Sequence, residues 1–210
     1  MDFHDFVKIC GVTSVEDAVV VKDAGASALG MVLAPVSKRR CAIEVATAIV
    51  SELGGTIPCI GVFRGQSDGE ILELVATIKL TSVQLHDEAS LELLAHLRAL
   101  GVSTIIRAVS YGTPEYAELS TEGVDAVLVD GPEPGSGQSA TWIAAPAFDL
   151  PLIVAGGLTP ETVATWIERY DVSGVDVASG TEAAYGVKDS SKVASFVGNA
   201  RAAWHRKRNA

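Results

Sequence analysis

Short apolar runs recur along the chain at nearly even intervals, and between them lie longer stretches whose apolar positions fall at helical spacing. The runs Phe6 to Ile9, Ala28 to Leu33, Cys59 to Phe63, Ser82 to Leu85, Thr104 to Ala108, Ala126 to Val129, Leu152 to Ala155 and Gly174 to Val177 are predicted strands. They are apolar on both faces, as strands of a parallel sheet covered by helices must be. Helix signals punctuate the intervals. Thr13-Ser14-Val15-Glu16 reads as a capping box and Gly25 closes the helix that follows. Leu91 to Leu100 carries leucines three and four apart and stops at Gly101. Thr159-Pro160 pairs a cap with proline at the first helical position and opens a helix over Glu161 to Tyr170, while Thr181-Glu182 is a second helix-opening signal.

The eight β units in 210 residues, about 26 residues each, fit an α/β fold of one (β/α)8 TIM barrel spanning residues 1–210. An open doubly wound sheet gives the same alternation, but the compact unit and the lack of a linker favour the barrel.

Composition narrows the function. With 48% hydrophobic and 20% charged residues the chain is not disordered. Sixteen basic against 26 acidic side chains give a net charge of −10, which excludes long-range attraction to nucleic acid or an anionic membrane. An anionic ligand must therefore be held by local positive groups. Arg201 to Arg208 reads as the solvated end of a helix whose cations oppose its dipole. Cys10, Cys41 and Cys59 form no C-x-x-C and no even set, so free thiols are expected. The start Met1-Asp2-Phe3-His4-Asp5 has acids where a signal peptide needs bases, and no apolar run approaches the ~20 residues of a membrane span. A cytoplasmic protein is expected. His4, His86, His96 and His205 show no ligand spacing, so no metal is expected.

In a parallel barrel the chemistry sits at the C-terminal ends of the strands. Those ends read Lys8-Ile9-Cys10-Gly11, Pro35-Val36-Ser37-Lys38-Arg39, Gln84-Leu85-His86-Asp87, Asp130, Ala155-Gly156-Gly157 and Ala178-Ser179-Gly180. The last two runs are small residues before helix-opening signals, an arrangement that turns backbone N–H groups toward an oxyanion. Tight turns alone would look the same locally. Two adjacent loops of this kind, with Gly156, Gly157, Ser179 and Gly180, point to a phosphate site.

These motifs, in this order, resemble the phosphoribosylanthranilate isomerase family of tryptophan biosynthesis. The likeness rests on Lys8-Ile9-Cys10-Gly11-Val12-Thr13, Pro35-x-Ser37-x-Arg39, Gly61-Val62-Phe63 and Val83-Gln84-Leu85-His86. It continues through Leu128-Val129-Asp130, Gly135-Ser136-Gly137 with Trp142, Ala155-Gly156-Gly157-Leu158, Gly174-Val175-Asp176-Val177 and Gly186-Val187-Lys188-Asp189. The resemblance implies a cofactor-free Amadori rearrangement of a small phosphorylated aminosugar. It makes Asp130 the general acid that opens the furanose ring, Cys10 the base that takes the adjacent carbon's proton, and Arg39 the clamp for the anthranilate carboxylate. Departures are Pro134 in place of the first glycine of the sixth loop, Ala178, Asp87, Thr159 and Arg107.

The residues carry these roles with alternatives beside them. Cys10 could instead be a buried small hydrophobe. Lys8 is expected to point away from it, so positive help should come from the substrate's Schiff base, Arg39 or Arg107. Asp130 must hold a proton well above the usual ~3.9, or else caps the next turn. Arg39 is one of three consecutive cations that could form a solvated face. Asp176 either binds sugar hydroxyls or pairs with Arg107, and His86 is either a pocket or a core residue. A histidine-pathway isomerase, a phosphosugar-binding paralogue without turnover and a Cys10-His86-Asp130 hydrolase are the competing readings. The first normally has an aspartate where Cys10 stands. The sequence leaves the oligomeric state open.

Overall fold

The computed structural model describes residues 1–131 and 148–209. The loop motif around Gly135-Ser136-Gly137 and Trp142 lies outside them. Strands β1 (Phe6–Cys10), β2 (Ala28–Val32), β3 (Cys59–Phe63), β4 (Ser82–Leu85), β5 (Thr104–Ser110), β6 (Ala126–Asp130), β7 (Leu152–Val154) and β8 (Gly174–Val177) close a barrel in sequence order. Neighbouring strands are parallel, and β1 completes the ring against β8. Helices α1 (Val15–Asp23), α2 (Ile43–Leu53), α3 (Asp68–Ile78), α4 (Leu91–Ala99), the one-turn α5 (Pro114–Ala117), α6 (Val163–Arg169) and the terminal α7 (Ser190–Arg208) lie between or after the strands. A two-stranded hairpin, β9 (Glu182–Ala184) and β10 (Val187–Lys188), stands between β8 and α7.

Strand alternation divides the buried side chains into two clusters. Val7, Ile9, Leu29, Met31, Val127, Val129 and Val175 face the helices, while Phe6, Ala28, Ile60, Ile106, Leu128 and Ile153 fill the barrel. This explains why the strands read as continuous apolar runs. Of the polar positions within them, Lys8, Gln84, Asp130 and Asp176 fall on the inward register and Arg107 on the outward one.

Three punctuation signals act differently from their local reading. Ser14, not Thr13, caps α1 by accepting from the Asp17 N–H at 3.1 Å. The Thr13 hydroxyl donates instead to the Gly186 carbonyl at 2.5 Å, so a contact 173 residues away claims it. Helix α6 starts at Val163 because the segment before it is a turn, in which the Thr162 hydroxyl accepts from the Thr159 N–H at 3.0 Å. Thr181-Glu182 opens no α-helix. The Thr181 hydroxyl donates to the Ala178 carbonyl at 3.1 Å, closing a 3-10 turn over Ser179–Thr181, and Glu182 begins the hairpin. The basic segment 201–208 is helical as expected, with Arg206 paired to Glu168 and Arg208 to Asp5.

Candidate active site

A cavity of about 590 Å³ opens at the C-terminal ends of the strands. Cys10 reaches it from β1, Gln84 from β4, Leu128 and Asp130 from β6, and Asp176 from β8, while Arg39, Arg64, His86 and Tyr185 come from the loops beyond the strands. Cys10 is 7% exposed, buried but not sealed. The candidate acid, base, carboxylate clamp and sugar ligand thus share one chamber.

Lys8 is the first correction. It lies on the same face of β1 as Cys10, as residues two apart on a strand must. Its side chain is fully buried, and Nζ donates to Asp176 Oδ1 at 2.9 Å. A Cβ on Gly30 would stand 2.8 Å from Cys10 Sγ and 3.0 Å from Lys8 Nζ, so the thiol and the ammonium crowd the same point. Gly30 leaves them that room. Asp176 is therefore paired with Lys8 and not with Arg107. The Arg107 guanidinium donates to the carbonyls of Leu85 at 3.1 Å and Ala108 at 2.7 Å, and it does not line the cavity.

These neighbours set the protonation states. Burial favours the neutral form of Lys8, but Asp176 and Cys10 outweigh it and hold the ammonium's pKa above the ordinary value. Burial likewise pushes the Cys10 thiol up; Lys8 opposes the rise, Asp176 adds to it and Lys188 opposes it. The thiol of the free protein is therefore protonated at neutral pH. Burial raises Asp130 to about 6, against a hydrogen bond from the Gly131 N–H to Oδ1 at 2.7 Å, with the Asp176 charge adding to the rise. That bond is the local turn contact expected of a strand-end aspartate, and it coexists with a carboxyl able to carry a proton near neutrality.

His86 belongs to the cavity. Its Nε2 is 2.9 Å from Gln84 Nε2, and burial followed by the nearby Arg64 charge lowers its pKa to about 4. A neutral imidazole results. Gln84 Oε1 is buried without a partner among the described residues.

Arg39 is no solvated cation. It is 7% exposed, and Glu182 accepts from Nε at 2.7 Å and from Nη2 at 2.9 Å. Sequence reasoning turned Lys8 away from Cys10 and assigned Gln84, Arg64 and Glu182 no place in the site. Strand period two was a sufficient signal for Lys8; no local signal marked Glu182.

The four candidate phosphate residues come together, on the loops after β7 and β8, but they are not among the residues lining the cavity. A Cβ on Gly180 would stand 2.0 Å from the Leu158 carbonyl oxygen, so only glycine lets the two loops meet. Gly156, at φ 99°, leaves no room for a side chain either: its Cβ would stand 2.6 Å from the Gly131 nitrogen and 3.1 Å from Asp130 Oδ1. Through Gly180 the loop after β8 meets the loop after β7, and through Gly156 the loop after β7 meets the end of β6 at Asp130.

The family described as N-(5'phosphoribosyl)anthranilate (PRA) isomerase matches residues 7–199. The chain belongs to this family. A curated N-(5'-phosphoribosyl)anthranilate isomerase of Deinococcus radiodurans is 37% identical over 200 residues, covering 91% of this chain and 94% of that protein. The phosphoribosyl anthranilate isomerase structure from Thermus thermophilus has a TM-score of 0.78 at 36% identity, over 94% of this chain and 98% of the other. Another family structure holds reduced 1-(o-carboxyphenylamino)-1-deoxyribulose 5-phosphate; it superposes with a TM-score of 0.77 at 31% identity over 94% of this chain and 98% of its own. Among the chain's departures from the motifs of phosphoribosylanthranilate isomerases, Asp87 accepts from the Gly65 N–H and so ties the loops after β3 and β4 together. Arg107 lies outside the chamber.

Proposed function

We propose that the chain catalyses the cofactor-free rearrangement of N-(5'-phosphoribosyl)anthranilate to 1-(2-carboxyphenylamino)-1-deoxyribulose 5-phosphate, within tryptophan biosynthesis and as one catalytic unit over residues 1–210. Asp130 is the general acid. It gives its proton to the furanose ring oxygen, the bond from that oxygen to the anomeric carbon breaks, and the substrate nitrogen's lone pair forms a cationic Schiff base. Cys10 thiolate then takes the proton from the neighbouring sugar carbon, and the electrons of that C–H bond neutralise the iminium as an enolamine. The enolamine becomes the ketone by tautomerisation.

The working pair carries one proton between two groups. Substrate that displaces water from Asp130 favours its protonated form, and the iminium favours thiolate on Cys10. Lys8 stands beside the sulfur and stabilises the same anion. Arg39 takes the anthranilate carboxylate, Asp176 receives a sugar hydroxyl on the oxygen not engaged by Lys8, and backbone N–H groups at Gly156, Gly157, Ser179 and Gly180 take the phosphate. A cytoplasmic setting suits the free thiols Cys10, Cys41 and Cys59.

The observation that carries this reading is a carboxyl with its pKa at about 6 and a thiol beside a buried ammonium, lining one cavity from β6 and β1. The test is the loss of substrate fluorescence when purified protein meets freshly generated N-(5'-phosphoribosyl)anthranilate. Turnover that disappears in Asp130→Asn supports the assignment. Full turnover in that variant removes Asp130 from the mechanism, and none in the unaltered protein favours a binding role without catalysis.

A further inference from the structure

Arg39 is held on three sides. Its stem passes over Gly11, where a Cβ would stand 2.8 Å from Arg39 Cδ. Its guanidinium lies 4.9 Å from the centre of the Tyr185 ring. Its Nε and Nη2 edge is taken by both oxygens of Glu182, at 2.7 and 2.9 Å. Glu182 is itself fixed. Oε1 also accepts from the Gly186 N–H at 3.2 Å and pairs with Lys188 Nζ at 3.5 Å, and the Lys188 side chain is fully buried. The Glu182 carbonyl accepts from Lys192 Nζ at 2.8 Å, and the Asp17 carboxylate accepts from the Lys188 N–H at 3.0 Å, so α7 and α1 both anchor the hairpin.

We propose that Glu182, presented by the β9–β10 hairpin, is a positioning residue that sets the plane of the Arg39 guanidinium and thereby makes the site selective for ligands bearing an aryl carboxylate. The inference rests on the reading of Arg39 as the carboxylate clamp. A guanidinium presents N–H donors along more than one edge, so a carboxylate seated on the Nε and Nη2 edge fixes the orientation of the rest. A rigid fork loses less entropy on binding than a free arginine side chain does.

The test compares two ligands by calorimetry, reduced 1-(o-carboxyphenylamino)-1-deoxyribulose 5-phosphate and the same compound without its carboxylate. Arg39→Ala should bring the two affinities close to equal. Glu182→Gln should lower the preference for the carboxylate by about tenfold, the scale of one charge-assisted bond, while the carboxylate-free ligand binds within about twofold of the unaltered protein. In turnover the same variant should raise KM more than it lowers kcat. Glu182→Asp, which keeps the charge but withdraws it by one methylene, should also lose preference. Should Arg39→Ala keep the preference, the clamp reading fails and this inference with it. Should only Arg39→Ala abolish it, with both Glu182 variants unchanged or with Glu182→Gln binding the carboxylate more tightly, Glu182 does not position the clamp.

Discussion

Lys8 Nζ and Asp176 Oδ1 lie 2.9 Å apart where β1 pairs with β8, with the lysine side chain fully buried and the aspartate nearly so. Removing either partner strands the other charge, a defect that costs about 3–5 kcal/mol. Lys8→Met and Asp176→Asn should each lower the unfolding free energy on that scale, and the double variant should lose less than the two losses combined. Urea titrations of all three test it; strict additivity would mean that the pair is not coupled.

Asp130 has a pKa raised from 3.8 to about 6, so between those values the folded protein holds a proton that the unfolded chain has released. The stability this contributes is complete below the lower value and disappears as pH rises through the upper one. Asp130→Asn should therefore melt higher than the unaltered protein at pH 8, keep only part of that advantage at pH 5 and lose the rest below the lower value. The difference is on the order of 1 kcal/mol, because the carboxyl faces cavity water. Equal melting temperatures at both pH values would contradict the raised pKa.

The same group shapes the rate profile. A second proton enters the catalytic pair below about 6, so kcat/KM should rise with pH through that value and then level off. His86, at about 4, is too acidic to produce this limb. Asp130→Asn and Cys10→Ala should each reduce kcat by about 100-fold or more while still binding the reduced product analogue, and the limb near 6 should vanish from the residual activity of Asp130→Asn.

Gly30→Ala tests the spacing of thiol and ammonium. The added Cβ would meet Cys10 Sγ at 2.8 Å and Lys8 Nζ at 3.0 Å, so both must shift. A loss of kcat of about tenfold with a cooperative thermal transition is expected, since small misplacements of reacting groups have large effects. Unchanged kcat would show that this spacing is not critical.

The barrel was legible because a two-sided apolar strand has few other uses: β3, β4 and β8 begin and end where their runs do. That Cys10 and Asp130 would reach the cavity was legible from their position at strand ends, whereas Arg39, in the loop after β2, was marked by its place in the family motif. Lys8 was misjudged although strand periodicity already puts it on the Cys10 face. Glu182 lies beyond any local rule, because its purpose comes from an arginine 143 residues earlier. Beside Thr181 it reads as a helix opening, and the distant guanidinium overrides that preference.

The first and last strands meet at the Lys8–Asp176 contact, so a chain emerging from the ribosome carries Cys10, the proposed base, long before the opposing carboxylate exists. The proposed chemistry should thus await the closing of the ring. Nascent fragments ending before β8 should be inert toward the aminosugar, and recovery of turnover during refolding should report the final sealing of the sheet rather than the formation of its early strands.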